Sequence, residues 1–133
     1  MKKFIQISKK PGFMMHNGGL LFRQVSKSKY EFKTKINKKK LNRAGKTHGG
    51  YIASIIDTGS GSAAYRTARN NQVVTISLDI KFIDATKLGD EIIGFTKILR
   101  KTRSMVFLVC HLECNGKIIA SANGIWKILK NTF

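Results

Sequence analysis

Apolar and polar positions alternate with a period of two in two segments of the chain, Tyr30 to Ile36 and Val73 to Phe82. Between Tyr30 and Ile36, for example, aromatic, hydroxyl and aliphatic side chains alternate with charged ones. This period is typical of a β-strand with one solvated face. Three further segments are also strand-like: Glu91 to Leu99, Met105 to Cys114 and Ile118 to Leu129, the last entered through the turn residues Asn115-Gly116.

A different, helical period runs from Gly49 to about Arg69. Asp57 is the only charged residue between Tyr51 and Tyr65, and a helix so poor in charge is usually buried on most sides. The apolar residues recur at the spacing of one helical face: Ile52, Ile55, Ile56, Ala63 and Ala64.

Two glycines inside this helix, Gly59 and Gly61, each lower its propensity by about 1 kcal/mol relative to alanine. Their presence predicts close approach by other backbone. Ser54, Ser60 and Gly61 lie about one turn from Asp57, so small side chains surround it. Two interpretations follow: room for a ligand, or a helix that lies close on the sheet.

The order of strand, long helix and four strands joined by short connections predicts an α+β protein with an antiparallel sheet. A single antiparallel sheet wrapped around one long central helix is the hot-dog arrangement. An open sheet has edges that need cover, so we expect two copies to pair edge to edge, as a dimer or a dimer of dimers (a homotetramer). Residues 1–27 form an N-terminal segment of uncertain structure: the part up to Lys10 is basic and loosely held, and residues 12–24 form a short helix or an irregular packing segment.

The 133 residues have the size of a single domain, taken as residues 1–133. Lys and Arg number 25 against 7 Asp and Glu, which gives a net charge of +18. Three interpretations compete: binding of a polyanion such as nucleic acid, steering of an anionic substrate, and a compositional bias toward Lys, Ile and Asn. Aromatic and basic side chains are not interleaved, so nucleic acid is the least expected partner.

The cysteines and the missing targeting signals bear on location. On a strand, Cys110 and Cys114 would lie about 13 Å apart, too far for a disulfide, so free thiols of a reducing compartment are expected. His111 would point to the other face, so no metal site is expected. No secretory signal and no run of about 20 apolar residues is recognisable, and we expect a cytoplasmic protein without a membrane span.

The helix also carries candidate chemistry. Asp57 lies about two turns into it, and an unpaired buried carboxylate costs several kcal/mol. It therefore either pairs with a core hydroxyl or a buried arginine, or faces a cleft as a base or nucleophile. Gly49 and Gly50 stand at the helix start, where unpartnered N–H groups favour negative charge. This arrangement suits an oxyanion hole, although two glycines also suit a tight turn into a helix.

The segment Asn42-x2-Gly45-x2-His48-Gly49-Gly50-x6-Asp57 resembles the active-site signature of the PaaI-type hot-dog acyl-CoA thioesterases. The similarity extends roughly from Tyr30 to Leu129. It implies hydrolysis of acyl-CoA thioesters to free acid and CoA, in which CoA is part of the substrate and no cofactor is needed.

The resemblance also implies a role for each matching residue. Asp57 would activate water or attack the carbonyl directly, the Gly49 N–H would hold the oxyanion, and Asn42 would orient the water or the carbonyl. Thr75 would assist the water. The site would be shared across a dimer interface, with Asp57 from the opposite chain, and His48 would mainly fix the loop through a ring N–H bond.

For the substrate, the resemblance places basic residues near the CoA phosphates. Three such residues lie in a predicted turn between strands, where a simple solvated loop would also carry them. The complete set of predicted substrate-binding residues is Gly50, Ser54, Ser60, Gly61, Arg100, Lys101 and Arg103.

Two other functions remain open on the sequence alone. A hot-dog dehydratase or hydratase would use His48 with Asp57, although the residues around His48 do not match the usual dehydratase loop. A non-catalytic binder of acyl-CoA or nucleic acid would explain the positive charge, and it would bind in a salt-dependent manner without turnover.

Overall fold

The computed structural model describes residues 2–130; residues 1 and 131–133 of the predicted domain lie outside the described residues. The described chain forms β1 (Ile5–Ile7), α1 (Phe13–His16), β2 (Leu20–Gln24), β3 (Lys29–Lys35), a short 3-10 helix (Lys38–Lys40), α2 (Gly49–Thr67), β4 (Val73–Phe82), β5 (Glu91–Lys101), β6 (Met105–Cys114) and β7 (Lys117–Ile128). The predicted helix and five predicted strands are all present, with bounds that shift by at most two residues. Among residues 2–130 we find no helix whose length and hydropathy would let it span a bilayer.

The strands form one antiparallel sheet in the order β1-β2-β3-β5-β6-β7-β4. Although β4 follows α2 directly in the chain, it lies at the edge of the sheet, where it pairs only with β7. The opposite side of β4 has no strand partner within residues 2–130. This edge position decides which side chains meet the end of α2.

One face of α2 packs on the sheet. Ile55, Ile56 and Ala63 are fully buried there, together with strand residues such as Phe32. The opposite face carries small, half-buried side chains and the exposed Asp57. The expectation that α2 is buried on most sides is therefore wrong for the single chain, because the one sheet covers only one side of the helix.

Gly59 and Gly61 make room for side chains of the sheet, whereas close approach by other backbone was predicted. A Cβ at Gly59 would stand 2.3 Å from the ring of the buried Phe32, and the same ring fills the space above Gly94 of β5. A Cβ at Gly61 would stand 3.3 Å from Nε1 of Trp126. The two glycines are thus matched to two aromatic rings that rise from the sheet.

The N-terminal segment is more regular than the sequence indicates. The segment Leu20–Gln24, expected to be a helix or irregular, is β2 and pairs with β3. Leu20 and Phe22 are buried, and Arg23 Nε donates to Oε1 of Glu31 on β3 at 2.8 Å. Hydrogen bonds across β1 and β2 hold residues 5–7 against the sheet as well, so this part of the chain is not loosely held.

The basic turn predicted at residues 100–103 is also shorter than expected. Arg100 and Lys101 belong to β5 and pair with Phe107 and Val106 of β6. A register shift after Ile98 lets the strand continue past that point. The turn between β5 and β6 consists of residues 102–104.

Candidate active site

The start of α2 presents one free backbone donor. His48 is the N-cap residue, and its Nδ1 accepts a hydrogen bond from the Gly50 N–H at 2.8 Å. The neighbouring Gly49 N–H has no acceptor within residues 2–130 and is exposed. His48 therefore fixes the helix start by accepting a hydrogen bond, whereas a donating ring N–H was expected. Its cap leaves the Gly49 N–H and the positive end of the helix dipole for a ligand.

Asn42 lies beside this donor. Its Oδ1 accepts from the N–H groups of Ala44 and Lys46 at 2.9 and 3.0 Å. Because these two bonds occupy the oxygen, the side-chain Nδ2 is the atom of Asn42 that is available to donate. Asn42 and Gly49 line a cleft of about 500 Å³, and Phe82 lines the same cleft. We call Asn42 and Gly49 the helix-start half-site.

The loop from Asn42 to His48 is held in place by hydrogen bonds on both sides. The His48 N–H donates to the carbonyl of Lys40 at 2.8 Å, and the Thr86 hydroxyl donates to that of Thr47 at 2.6 Å. Lys40 is itself buried, and its Nζ donates to the Lys35 carbonyl at 2.8 Å. Burial lowers the pKa of the Lys40 ammonium group.

Asp57 meets a residue from the edge strand. The hydroxyl of Thr75 on β4 donates to Oδ1 of Asp57 at 2.7 Å, and both residues are exposed. We call Asp57 and Thr75 the aspartate half-site. They line a cleft of about 300 Å³ with Gly61, Trp126 and other residues. Of the two sequence interpretations, the structure favours a carboxylate that faces a cleft, since its hydroxyl partner lies at the surface.

The two half-sites do not meet within one chain. Gly49 and Asp57 lie on the same helix about 12 Å apart along its axis, at roughly 1.5 Å per residue. A reacting carbonyl must lie within about 3 Å of its oxyanion donor and of the attacking water, and that water must in turn lie within hydrogen-bond distance of its base. In the single chain the two half-sites thus line separate clefts that share no lining residue.

The predicted substrate-binding residues on α2 divide into three groups. Gly61 lines the cleft of the aspartate half-site, as expected. Ser60 does not: it is fully buried and its hydroxyl bonds to that of Thr96 on β5 at 3.2 Å, because it faces the sheet side of the helix. Gly50 donates its N–H to His48, and the Ser54 hydroxyl donates to the Gly50 carbonyl at 2.7 Å.

The predicted basic residues lie outside both clefts. Arg100, Lys101 and Arg103 lie at the end of the β5–β6 hairpin and line neither half-site. The basic side chains that line these clefts are Arg66, next to the aspartate half-site, and Lys46, next to the helix-start half-site. Sequence reasoning missed Arg66, because it follows Asp57 by nine residues and helical spacing therefore places it about half a turn around the helix from that carboxylate.

Sequence reasoning also did not assign Trp126 to a site. Its place in an alternating apolar segment gives it a core position, and it is 1% exposed. Because β7 pairs with β4, Trp126 is directly opposite Thr75 in the sheet. Only that pairing, which the sequence does not specify, brings the indole to the aspartate half-site.

The sequence family is clear from comparison with known proteins. The chain matches the model of the thioesterase superfamily over residues 44–118. That match covers more than half of the chain, includes Gly49, Asp57 and Thr75, and stops within β7. The protein belongs to the thioesterase superfamily.

Individual relatives agree with this assignment. The chain is 26% identical to a putative esterase of Pseudomonas aeruginosa over 84% of each protein. It is 30% identical to mouse acyl-coenzyme A thioesterase 13 over 65% of this chain and 63% of the mouse protein. The crystal structure of zebra fish thioesterase superfamily member 2 has a TM-score of 0.83 at 25% identity, and covers 92% of this chain and 90% of that one. The predicted hot-dog fold and the predicted class of enzyme, a thioesterase, are confirmed.

Proposed function

We propose that this protein hydrolyses acyl-CoA thioesters to a free acid and CoA, with Asp57 as the base that activates water. The observation that carries the proposal is the exposed Asp57 carboxylate, which Thr75 orients through one of its oxygens at 2.7 Å. Oδ2 is then free to accept a hydrogen bond from water. The name of the mouse relative, an acyl-coenzyme A thioesterase, supports the substrate class.

The proposed reaction has two steps. Asp57 takes a proton from the water while the water oxygen attacks the thioester carbonyl. The resulting oxyanion accepts a hydrogen bond from the Gly49 N–H. The intermediate then collapses, the C–S bond breaks, and the CoA thiolate takes the proton back from Asp57. Asn42 Nδ2 donates to the carbonyl or to the water and fixes its position.

The edge strand β4 supports self-association. Val74 and Ile76 are 42% and 53% exposed on a strand that has no partner on one side within residues 2–130. An exposed apolar edge is normally covered. Antiparallel pairing with β4 of a second copy supplies the missing hydrogen bonds and brings both side chains beside those of the partner strand.

This pairing also completes the active site. Thr75 lies near the start of β4 and Phe82 at its end, about 24 Å apart at roughly 3.4 Å per residue. Phe82 lines the cleft of the helix-start half-site. In a two-fold antiparallel pair, the start of one strand lies beside the end of the other. The Asp57 of one copy is then next to the Gly49 of its partner, twice per dimer.

The experiment is a thiol-release assay with a panel of short, medium, long and aryl acyl-CoAs, run on the wild type and on Asp57→Asn. Since the variant keeps the size of the side chain and removes its basicity, we expect turnover to fall by about 10²–10⁴-fold. Glu113→Gln, a change on β6, is the matched control and should turn over normally. If the wild type releases no thiol from any member of the panel, the proposal is wrong.

A further inference from the structure

Within residues 2–130, the indole N–H of Trp126 at the aspartate half-site donates no hydrogen bond. Its side chain is 1% exposed, yet it lines the same cleft as Asp57 and Thr75. Every fully buried side-chain nitrogen and oxygen in residues 2–130 has a hydrogen-bond partner. The indole Nε1–H bonds to no acceptor in that part of the chain, so it must be reachable from the cleft.

Gly61 opens the way to this donor. A Cβ at position 61 would stand 3.3 Å from Nε1 and 4.0 Å from Cε2 of Trp126. Gly61 also follows Asp57 by about one helical turn, or roughly 6 Å along the axis. Glycine weakens a helix at this position, and its effect here is to leave the indole N–H uncovered beside the reacting group.

We propose that Trp126 is a specificity-determining residue whose Nε1–H donates a hydrogen bond to an oxygen acceptor of the substrate, about one helical turn from the thioester carbonyl. The inference rests on the proposed function, because it assigns the ligand of that same site. Once a bound substrate excludes water from the cleft, such a donor favours a ligand that satisfies it and disfavours one that leaves it unpaired. Two parts of an acyl-CoA carry a suitable oxygen: a hydroxyl or keto group on the acyl chain, and the amide carbonyls of the pantetheine arm.

Binding is measured by calorimetry in the Asp57→Asn background, so that turnover does not consume the ligand. The ligands are CoA, octanoyl-CoA and a series of hydroxyoctanoyl-CoAs with the hydroxyl at successive carbons. Gly61→Ala places a methyl group over Nε1 while it favours the helix, and Trp126→Phe removes the N–H. Ser121→Ala, a change on β7 outside both clefts, is the matched control. The oligomeric mass and melting temperature of each variant are measured first.

If the acceptor is on the acyl chain, one hydroxyoctanoyl-CoA binds about tenfold more tightly than octanoyl-CoA, and Gly61→Ala and Trp126→Phe each abolish that difference. If the acceptor is a pantetheine carbonyl, Gly61→Ala weakens CoA and every acyl-CoA by the same factor of about ten. Ser121→Ala changes neither pattern.

Unchanged binding of all ligands in both Gly61→Ala and Trp126→Phe would overturn the inference. This failure differs from a failure of the proposed function, which is read from thiol release by the wild type. If the protein shows the expected binding pattern but no turnover, the role of the Trp126 N–H is supported and the proposed hydrolysis is refuted. If the protein turns over acyl-CoAs but neither variant changes binding, the proposed hydrolysis is supported and the role of the Trp126 N–H is refuted.

Discussion

The hydroxyl of Thr75 donates a hydrogen bond to Oδ1 of Asp57 at 2.7 Å and so links the edge strand β4 to the outer face of α2. The bond fixes the rotamer of the carboxylate and leaves the second oxygen free. Since both side chains are exposed, the link contributes orientation more than stability.

Loss of this hydroxyl should slow the chemical step. We expect Thr75→Val to lower kcat about tenfold with little change in the free energy of unfolding, because a mispositioned base reduces catalysis without disturbing the core. Thr75→Ser keeps the donor and should retain most of the activity. Thiol release and urea denaturation measure the two effects. Equal activity of the Val and Ser variants would show that the bond has no part in turnover.

His48 should act through its cap and not through proton transfer. His48→Ala leaves the Gly50 N–H without a partner and should reduce the free energy of unfolding by about 1 kcal/mol. His48→Asn restores an N-cap acceptor, so both stability and thiol release should remain near those of the wild type. A dehydratase would need the imidazole itself. An inactive but fully stable His48→Asn variant would therefore contradict the structural role.

Gly59 and Gly61 are two residues apart on α2 but should respond differently to alanine. At Gly59 the added methyl group would meet the ring of Phe32 at 2.3 Å, and Phe32 is confined on its other side by Gly94. We expect Gly59→Ala to destabilise the fold by about 1–3 kcal/mol despite the better helix propensity of alanine. Gly61→Ala, with its nearest contact at 3.3 Å, should have a much smaller effect on the melting temperature. Similar losses of stability at both positions would contradict this view of the packing.

Burial of the Cys110 thiol predicts a loss of stability at high pH. Desolvation raises the pKa of Cys110 above its ordinary value of 9.0, despite hydrogen bonds from Thr96 and Ser60 that act the other way. Above that value the unfolded chain has lost a proton that the folded chain retains, so the free energy of unfolding falls as pH rises. The contribution is complete below the unfolded pKa and is lost as pH rises through the folded one.

The test compares the wild type with Cys110→Ala by urea denaturation between about pH 7.5 and pH 10.5, under reducing conditions. Over the alkaline range the wild-type curve should be steeper by up to about 1.4 kcal/mol per pH unit. Below about pH 8 the two curves should run parallel. Parallel curves over the whole range would mean that the thiol ionises equally well in the folded protein.

The regular periodic segments account for what the sequence could predict about the fold. Alternation identifies β3 and β4 to within one residue, because the burial of one face imposes that period. The segment Leu20–Gln24 was missed because its apolar residues are adjacent and not alternating, so that only pairing with β3 makes it a strand. The prediction for Ser60 is wrong because helical spacing places it near Asp57 but does not show which side of the helix the sheet covers.

The site was predictable only in part, for a related reason. The spacing of Asn42, Gly49 and Asp57 is local and can be read directly. The approach of Trp126 to Asp57 is not local, because it depends on β7 lying beside the edge strand β4. Strand order is a property of the whole sheet, and short connections alone leave several orders possible.

The separation of the two half-sites predicts that two inactive variants should restore activity when they share a dimer. Asp57→Asn removes the base, and Asn42→Ala removes a donor of the helix-start half-site, which lines a different cleft of the same chain. A mixed dimer contains one site with both defects and one with neither. Co-denatured and refolded equimolar variants should therefore recover roughly a quarter of wild-type thiol release, since half of the dimers are mixed and each has one intact site. Each variant refolded alone should stay near its own low rate, as should a mixture in which Ile76→Lys on β4 blocks edge pairing in both chains. Recovery would place Asp57 and Asn42 of different copies in one site, whereas a mixture no more active than its components would mean that each chain works with its own residues.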